Sequence, residues 1–251
     1  CHHYQECFFH KARRKAAQAD ILISNHALLL ADLAVRAETD NYNSAAVLPL
    51  YSRIIFDEAH HLEDAATNSF SIRLNRFSFT AVLNRLVHPR KPERGHLARW
   101  AGILARELPD SEELIYQQLH TLINEAGELC RGLQQRNAEI FGALTDCFEA
   151  DSENVQRHST PWRITSAQEN DPVWQRFTHE LPDISRTALK ITSTIKRLFK
   201  LSENLPENVN EKIAAATTDL NGLNNRLGGL AQDLDTFLSL RKDLCTWIDV
   251  R

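Results

Sequence analysis

The sequence of 251 residues contains no methionine and only 8 glycines. It also has no apolar run approaching the roughly 18 residues that a membrane-spanning helix requires, which excludes a helical membrane span. The hydrophobic fraction of 43% and the charged fraction of 25% are those of a globular protein, so a disordered chain is excluded as well. Because glycine is scarce and long stretches lack proline, the composition predicts a mainly helical fold.

The charge balance and the cysteine content narrow the possible functions. A formal net charge of −4 excludes a protein that coats nucleic acid through bulk positive charge, although a local basic groove stays possible. The five cysteines are scattered and odd in number, so we expect reduced thiols and a cytoplasmic location. The chain begins at Cys1 rather than at methionine, and we expect it to be a piece of a longer protein.

Two short apolar runs predict buried strands in the first third of the chain. Residues 20–24 and 53–56 are apolar runs bounded by polar residues, and a leucine-rich helical segment lies between them. Asn25 or Ser24 can cap this helix. A strand, a helix and a second strand in this order predict an α/β region whose sheet is covered on both faces.

The rest of the chain has a helical period. Three series of apolar residues begin at Ile115, Ile184 and Val209, and each advances by alternating steps of four and three residues. This repeat keeps one stripe facing a partner helix, so it predicts a helical bundle or coiled coil. Residues 151–183 predict an irregular connection with a short strand near Trp162, and residues 244–250 predict another strand.

The strongest functional signal is Asp57-Glu58-Ala59-His60, directly after the second apolar run. A nucleoside triphosphatase needs an acidic residue at the carboxyl end of a buried strand to hold Mg²⁺, and a second carboxylate to orient and deprotonate the attacking water. Asp57 and Glu58 meet both needs, because strand ends in open α/β sheets face the ligand crevice. The alternative is that Asp57 only caps the helix that follows.

Residues 57–60 resemble the DEAH form of the Walker B motif of superfamily 2 helicases. Three upstream features extend the resemblance to the DinG/XPD branch of iron–sulfur helicases, in particular its bacterial DinG and YoaA members. They are the cysteines Cys1 and Cys7, the Ala-Arg-Arg string at residues 12–14 and the Asn-His pair at residues 25–26.

The resemblance implies a predominantly helical chain: an α/β fragment of a RecA-like motor domain with parallel strands, and a large helical arch domain inserted into it. Residues 1–18 would be a remnant of the iron–sulfur cluster domain, and residues 19–75 would be the part of motor domain 1 that carries the DEAH box. Residues 76–242 would form the arch domain, and residues 243–251 would be a strand returning to motor domain 1.

The resemblance also assigns residue roles. Asp57 would hold the Mg²⁺ of Mg-ATP, Glu58 would be the general base for ATP hydrolysis, and His60 would link the nucleotide site to the DNA path. Cys1 and Cys7 would be two thiolate ligands of a [4Fe–4S] cluster. Two free thiols, or a zinc site completed by nearby histidines, are the alternatives.

Arg13, Arg14 and Lys15 form a dense basic run beside aromatic residues, as in grooves that track single strands. With Asn25 and His26 they are the candidates for contact with single-stranded or forked DNA. A solvated helix face explains the basic run equally well, and helix capping explains Asn25. A second basic cluster at residues 88–94 predicts an exposed loop.

The implied parent is an ATP-dependent DNA helicase of the bacterial cytoplasm that moves 5′→3′ along single strands, with its arch available to a protein partner. The sequence has no G-x-x-x-x-G-K-[ST] loop to cradle phosphates. We therefore expect this chain alone to be inactive and to hold no complete cofactor. The alternative is a non-catalytic helical-bundle module that binds a partner protein and carries an incidental DEAH string.

Overall fold

A computed structural model describes residues 5–108, 113–150 and 161–249. Over these residues the chain is predominantly helical, with eight α-helices and two short strands. It divides into two compact units, Cys1–Arg73 and Leu74–Arg251, called unit 1 and unit 2 below. None of the described helices is both long and apolar enough to cross a membrane.

The described part of unit 1 contains three α-helices, α1 (Phe8–Ala16), α2 (His26–Thr39) and α3 (Leu62–Phe70). The Asn25 side chain caps α2, because its Oδ1 accepts a hydrogen bond from the backbone N–H of Leu28 at 2.8 Å. The predicted capping role of Asn25 is therefore confirmed.

The two parallel strands predicted in unit 1 are not formed in the part of the chain that the structure describes. Residues 20–24 and 53–56 lie outside any strand, and the side chains of Ile23 and Ile55 are 94% and 95% exposed. A buried strand requires a neighbour that pairs with its N–H and C=O groups and a layer that covers its apolar side chains. Neither is provided by the described residues, so the covered parallel sheet is not formed here and stays a prediction.

Unit 2 is a helical bundle. Its helices are α4 (Arg76–Leu86), α5 (His96–Glu107), α6 (Glu113–Ala150), α7 (Pro172–Ser202) and α8 (Glu207–Leu238). Helix α7 packs between α6 and α8, and the shorter α4 and α5 cover α6 and α8. The arrangement places five helices around one apolar core.

The apolar seams predicted from the sequence face this core. Every residue of the α7 seam from Ile184 to Leu198 is buried, and burial follows the α8 seam from Val209 to Leu234. Most of the α6 seam is buried in the same way. The prediction of a helical bundle beyond residue 75 is therefore confirmed.

The two described strands lie in unit 2. Strand β1 (Trp162–Ile164) pairs antiparallel with β2 (Thr246–Ile248), and Arg163 lies opposite Trp247. The short strands predicted at these two places are thus present. The irregular connection predicted over residues 151–183 is wrong from Pro172 onward, because α7 begins there with a proline in its first turn, where the missing N–H costs no helical hydrogen bond. The return of residues 243–251 to motor domain 1 stays a prediction, as do the other domain assignments.

Candidate functional site

Residues 57–60 form a tight turn between an extended segment and α3. Asp57 Oδ1 accepts a hydrogen bond from the backbone N–H of Glu58 at 3.0 Å. Glu58 has a φ of 51° and a ψ of 45°, a left-handed backbone that costs a residue other than glycine about 1–3 kcal/mol. A 3₁₀ turn over Ala59–His61 follows and continues into α3. The left-handed Glu58 backbone and the Asp57 hydrogen bond together shape this turn.

The acidic pair of the turn is accompanied by an imidazole. Glu58 Oε2 lies 3.2 Å from His60 Nδ1, and the two side chains are 67% and 66% exposed. The ring of His60 lies 3.9 Å from that of His61. Because water screens exposed pairs, the Glu58–His60 contact adds little stability.

The carboxylates of this turn fit a magnesium–nucleotide complex in their chemistry. Mg²⁺ is held by one or two protein carboxylates, while substrate phosphates and water complete its coordination. Asp57 is exposed, and only its Oδ1 carries the backbone hydrogen bond. The described residues contain no group of three or more acidic, histidine or cysteine side chains that would form a metal site by themselves.

The carboxyl ends of the two extended segments lie next to each other. His26 follows residues 20–24, Phe56 ends residues 53–56, and their ring centroids are 6.0 Å apart. The structure therefore brings His26 beside the segment that carries Asp57.

A buried ion pair on α2 holds the chain that leads to this turn. Arg36 Nε donates to Asp32 Oδ2 at 2.6 Å, and the two residues are 3% and 0% exposed. Asp32 also accepts hydrogen bonds from the Leu48 backbone N–H at 2.7 Å and from the Tyr51 hydroxyl at 2.9 Å. Burial alone would raise the pKa of Asp32, but the hydrogen bonds from Arg36, Leu48 and Tyr51 lower it below its usual range.

The guanidinium of Arg36 completes this network. It lies 5.1 Å from the centre of the Tyr51 ring, and burial together with Asp32 raises the pKa of the Tyr51 hydroxyl. It also donates to four backbone carbonyls of the following loop, those of Tyr42, Ser44, Leu48 and Pro49. Sequence reasoning missed the network, although an acidic and a basic residue four positions apart on a leucine-rich helix were the signal for it.

Of the two cysteines predicted to bind a cluster, one lies among the described residues. Cys7 is a free, partly exposed thiol at the N-cap of α1, and Cys1 lies outside the described residues. Cys130 is buried in α6, and burial raises the pKa of its thiol to about 12, so it is a core residue. The described residues do not supply a ligand set for an iron–sulfur cluster or for zinc, and both possibilities stay predictions.

The basic run predicted to contact DNA lies on the exposed helix α1. Arg13 Nη2 donates to the Ala46 carbonyl at 2.5 Å, and Arg14 Nη2 donates to the Gln5 carbonyl at 3.2 Å. The guanidinium of Arg13 lies 5.7 Å from the ring of Phe9, and Lys15 is exposed. Exposed basic and aromatic side chains on one helix suit a single strand, and a solvated helix face accounts for them as well.

Comparison with known proteins finds one family model and several helicases that resemble this chain. Residues 1–79 match the family model DEAD_2. The chain is 40% identical over 75 residues to the ATP-dependent DNA helicase YoaA of Escherichia coli, which covers 30% of this chain and 11% of that protein. It is 36% identical over 188 residues to the ATP-dependent DNA helicase DinG of Salmonella typhimurium, an alignment that covers 63% of this chain and 25% of that protein. It is 33% identical over 97 residues to the ATP-dependent helicase DinG of Mycobacterium tuberculosis, an alignment that covers 38% of this chain and 13% of that protein.

These matches confirm the resemblance to DinG-type helicases, while its iron–sulfur part stays a prediction. The Salmonella alignment covers 63% of the chain, so it extends into unit 2. The chain spans a quarter or less of each of these relatives. No solved structure matches the chain.

Proposed function

We propose that this chain supplies part of the ATPase site of an ATP-dependent DNA helicase of the DinG type. The observation that carries the proposal is the Asp57–Glu58 turn, which follows an extended apolar segment inside the residues that match DEAD_2. The names of the relatives, which are ATP-dependent DNA helicases, support ATP and DNA as ligands. Activity belongs to the complete protein, since this chain has no phosphate-cradling glycine loop.

In this proposal the residues of the turn divide the work of ATP hydrolysis. Asp57 holds the Mg²⁺ of Mg-ATP, and when bound this ion neutralises charge that develops on the phosphates. Glu58 accepts the proton of the attacking water. His60, 3.2 Å from the Glu58 carboxylate, orients the base and couples the nucleotide site to the DNA path.

The exposed apolar segments of unit 1 support a RecA-like motor domain in the complete protein. Large apolar side chains in residues 20–24 and 53–56 face solvent, and buried parallel strands have this composition. We infer that the two segments become parallel strands when further strands and helices of motor domain 1 cover them. Unit 2 is then the arch domain, available to a protein partner.

The remaining roles follow the same resemblance. Arg13, Arg14, Lys15 and His26 contact single-stranded or forked DNA, and movement runs 5′→3′. Asn25 acts there mainly as the cap that fixes the start of α2 beside the strand. Cys7 and Cys1 serve as ligands of a [4Fe–4S] cluster whose other ligands lie elsewhere in the protein.

The test is DNA-stimulated ATP hydrolysis by the complete protein and by its Glu58→Gln variant. Removing a general base lowers the rate by about 10²–10⁴-fold, while ATP binding should persist. Glu63→Gln is the matched control, because Glu63 is an exposed carboxylate in the first turn of α3. Equal turnover in the Glu58→Gln and Glu63→Gln proteins would reject the assignment of the base.

The rival interpretation, a helical module that recruits a partner through its seams, loses its main support. The α6, α7 and α8 seams are buried against one another within unit 2. Stripes that are already satisfied inside the chain are not open surfaces for another helix.

A further inference from the structure

Unit 2 carries an open groove of about 490 Å³ along the outer face of α5 and the turn that precedes it. The buried side chains of α5 are Leu97, Trp100 and Leu104, so the opposite face of the helix is turned outward. The side chains and backbone lining the groove belong to Glu93, Arg94, Ala98, Arg99, Gly102 and Arg106.

The helix beneath the groove is firmly held. Trp100 is fully buried, and its Nε1 donates to Thr217 Oγ1 on α8 at 2.9 Å. At Gly95, just before α5, an added Cβ would lie 2.6 Å from the carbonyl oxygen of Leu86, so the chain passes there without room for a side chain. A ligand in the groove would therefore meet a preorganised surface.

The groove is strongly basic for a chain of net charge −4. Residues 85–106 contain five arginines and one lysine but a single acidic residue, Glu93. The three groove arginines, Arg94, Arg99 and Arg106, are exposed, and no ion pair joins them to another described residue. Arginines without an ion-pair partner concentrate anions near the surface, and the guanidinium fork matches phosphate oxygens in particular.

The floor of the groove is free of bulky side chains. Ala98 and Gly102 line it, and an added Cβ at Gly102 would meet nothing within 4 Å. Packing therefore does not require glycine at this place, although glycine inside a helix destabilises it relative to alanine. The bare backbone instead permits a close approach by a ligand.

We propose that this groove binds the phosphate backbone of DNA. The choice of DNA among polyanions rests on the proposed function. The charge and shape of the groove are properties of unit 2 that hold whatever that function is. Arg99 and Arg106 are seven residue steps apart on α5, which is about 10 Å along the helix, and Arg94 lies in the turn just before it. This distance covers about three successive phosphates at about 3.4 Å per nucleotide of a duplex strand. None of the described residues that line the groove is aromatic. The contacts are therefore to phosphates and are independent of sequence.

The test is binding of a fluorescent 20-residue oligothymidylate to the full chain, followed by anisotropy across a salt titration. The variant replaces Arg94, Arg99 and Arg106 by glutamine. Each lost phosphate contact reduces the slope of log K against log salt by about 0.7 for a single strand, so the triple variant should lose about 2 units of slope and at least tenfold in affinity at low salt. The same titration is repeated with a duplex of the same length, for which each lost phosphate contact reduces the slope by about 0.9.

A matched control replaces Arg163, Arg176 and Arg226 by glutamine, which removes the same charge from three other exposed positions of unit 2. It should bind nearly as the unaltered chain does. Gly102→Glu has room for its side chain and should weaken binding while the melting curve measured by circular dichroism stays intact.

Three results would overturn the proposal: no binding of either DNA by the unaltered chain, an equal loss in both triple variants, or polyglutamate binding the groove as tightly as DNA. The last result would indicate an acidic protein partner. These outcomes are separate from the proposed ATPase, because the groove test uses no nucleotide and leaves Glu58 unchanged.

Discussion

Removing the Asp32 carboxylate should release the loop that leads to the Asp57–Glu58 turn. In Asp32→Ala, three hydrogen bonds of 2.6–2.9 Å disappear, and Arg36 keeps its charge at 3% exposure without an anion. Breaking a buried ion pair by deleting one partner costs about 3–5 kcal/mol. Because a tenfold change corresponds to about 1.4 kcal/mol, the opening of this loop should become at least about 100-fold more frequent.

Hydrogen exchange measures this opening residue by residue. The amides of α2 and the Leu48 amide, whose acceptor is Asp32 itself, should exchange at least about 100-fold faster in Asp32→Ala than in the exposed-site control Asp20→Ala. The four tryptophans, Trp100, Trp162, Trp174 and Trp247, all lie in unit 2. Unit 2, followed by tryptophan fluorescence, should therefore unfold at the same denaturant concentration in both variants. Unchanged protection of the Leu48 amide, or an equal loss of stability in unit 2, would refute the reasoning.

Two further predictions concern pH and the groove. The pKa of Asp32 is lowered in the folded chain, so its ionised form stabilises unit 1 above the usual aspartate pKa of about 3.9, and this stability is lost as the pH falls through the lowered value. Acid titration followed by the hydrogen-exchange protection of the α2 amides should show this loss. The pH-dependent loss should be smaller in Asp32→Asn. Gly102→Ala should raise the free energy of unfolding of unit 2 by about 0.5–1 kcal/mol, because alanine favours the helix and its Cβ meets no atom within 4 Å. Chemical denaturation followed by tryptophan fluorescence tests it, and a decrease would contradict the described geometry.

The features that the sequence predicted correctly depend on neighbours along the chain. The α8 seam from Val209 to Leu234 follows from a repeat within one helix, and the Asn25 cap follows from a side chain that reaches a backbone N–H three residues away. The exposed loop predicted at residues 88–94 is likewise present, with residues 90–94 exposed and a 3₁₀ turn at Pro92–Arg94.

The features that failed or were missed depend on distant partners. Residues 20–24 and 53–56 have strand composition, but a strand forms only beside a paired neighbour, and the described chain offers none. The acceptors of Arg36 are mostly backbone carbonyls, which no residue pattern identifies. The groove joins Arg94, from a predicted loop, to arginines of α5, and only the folded helix aligns them.

The most direct test of the central claim is the rate of ATP hydrolysis by the complete protein at saturating ATP and single-stranded DNA, with and without Glu58→Gln. The account predicts DNA-stimulated turnover that falls by about 10²–10⁴-fold in the variant, while the variant still binds ATP in the presence of Mg²⁺. Turnover that ignores DNA, or a Glu58→Gln protein as active as the unaltered one, would contradict it.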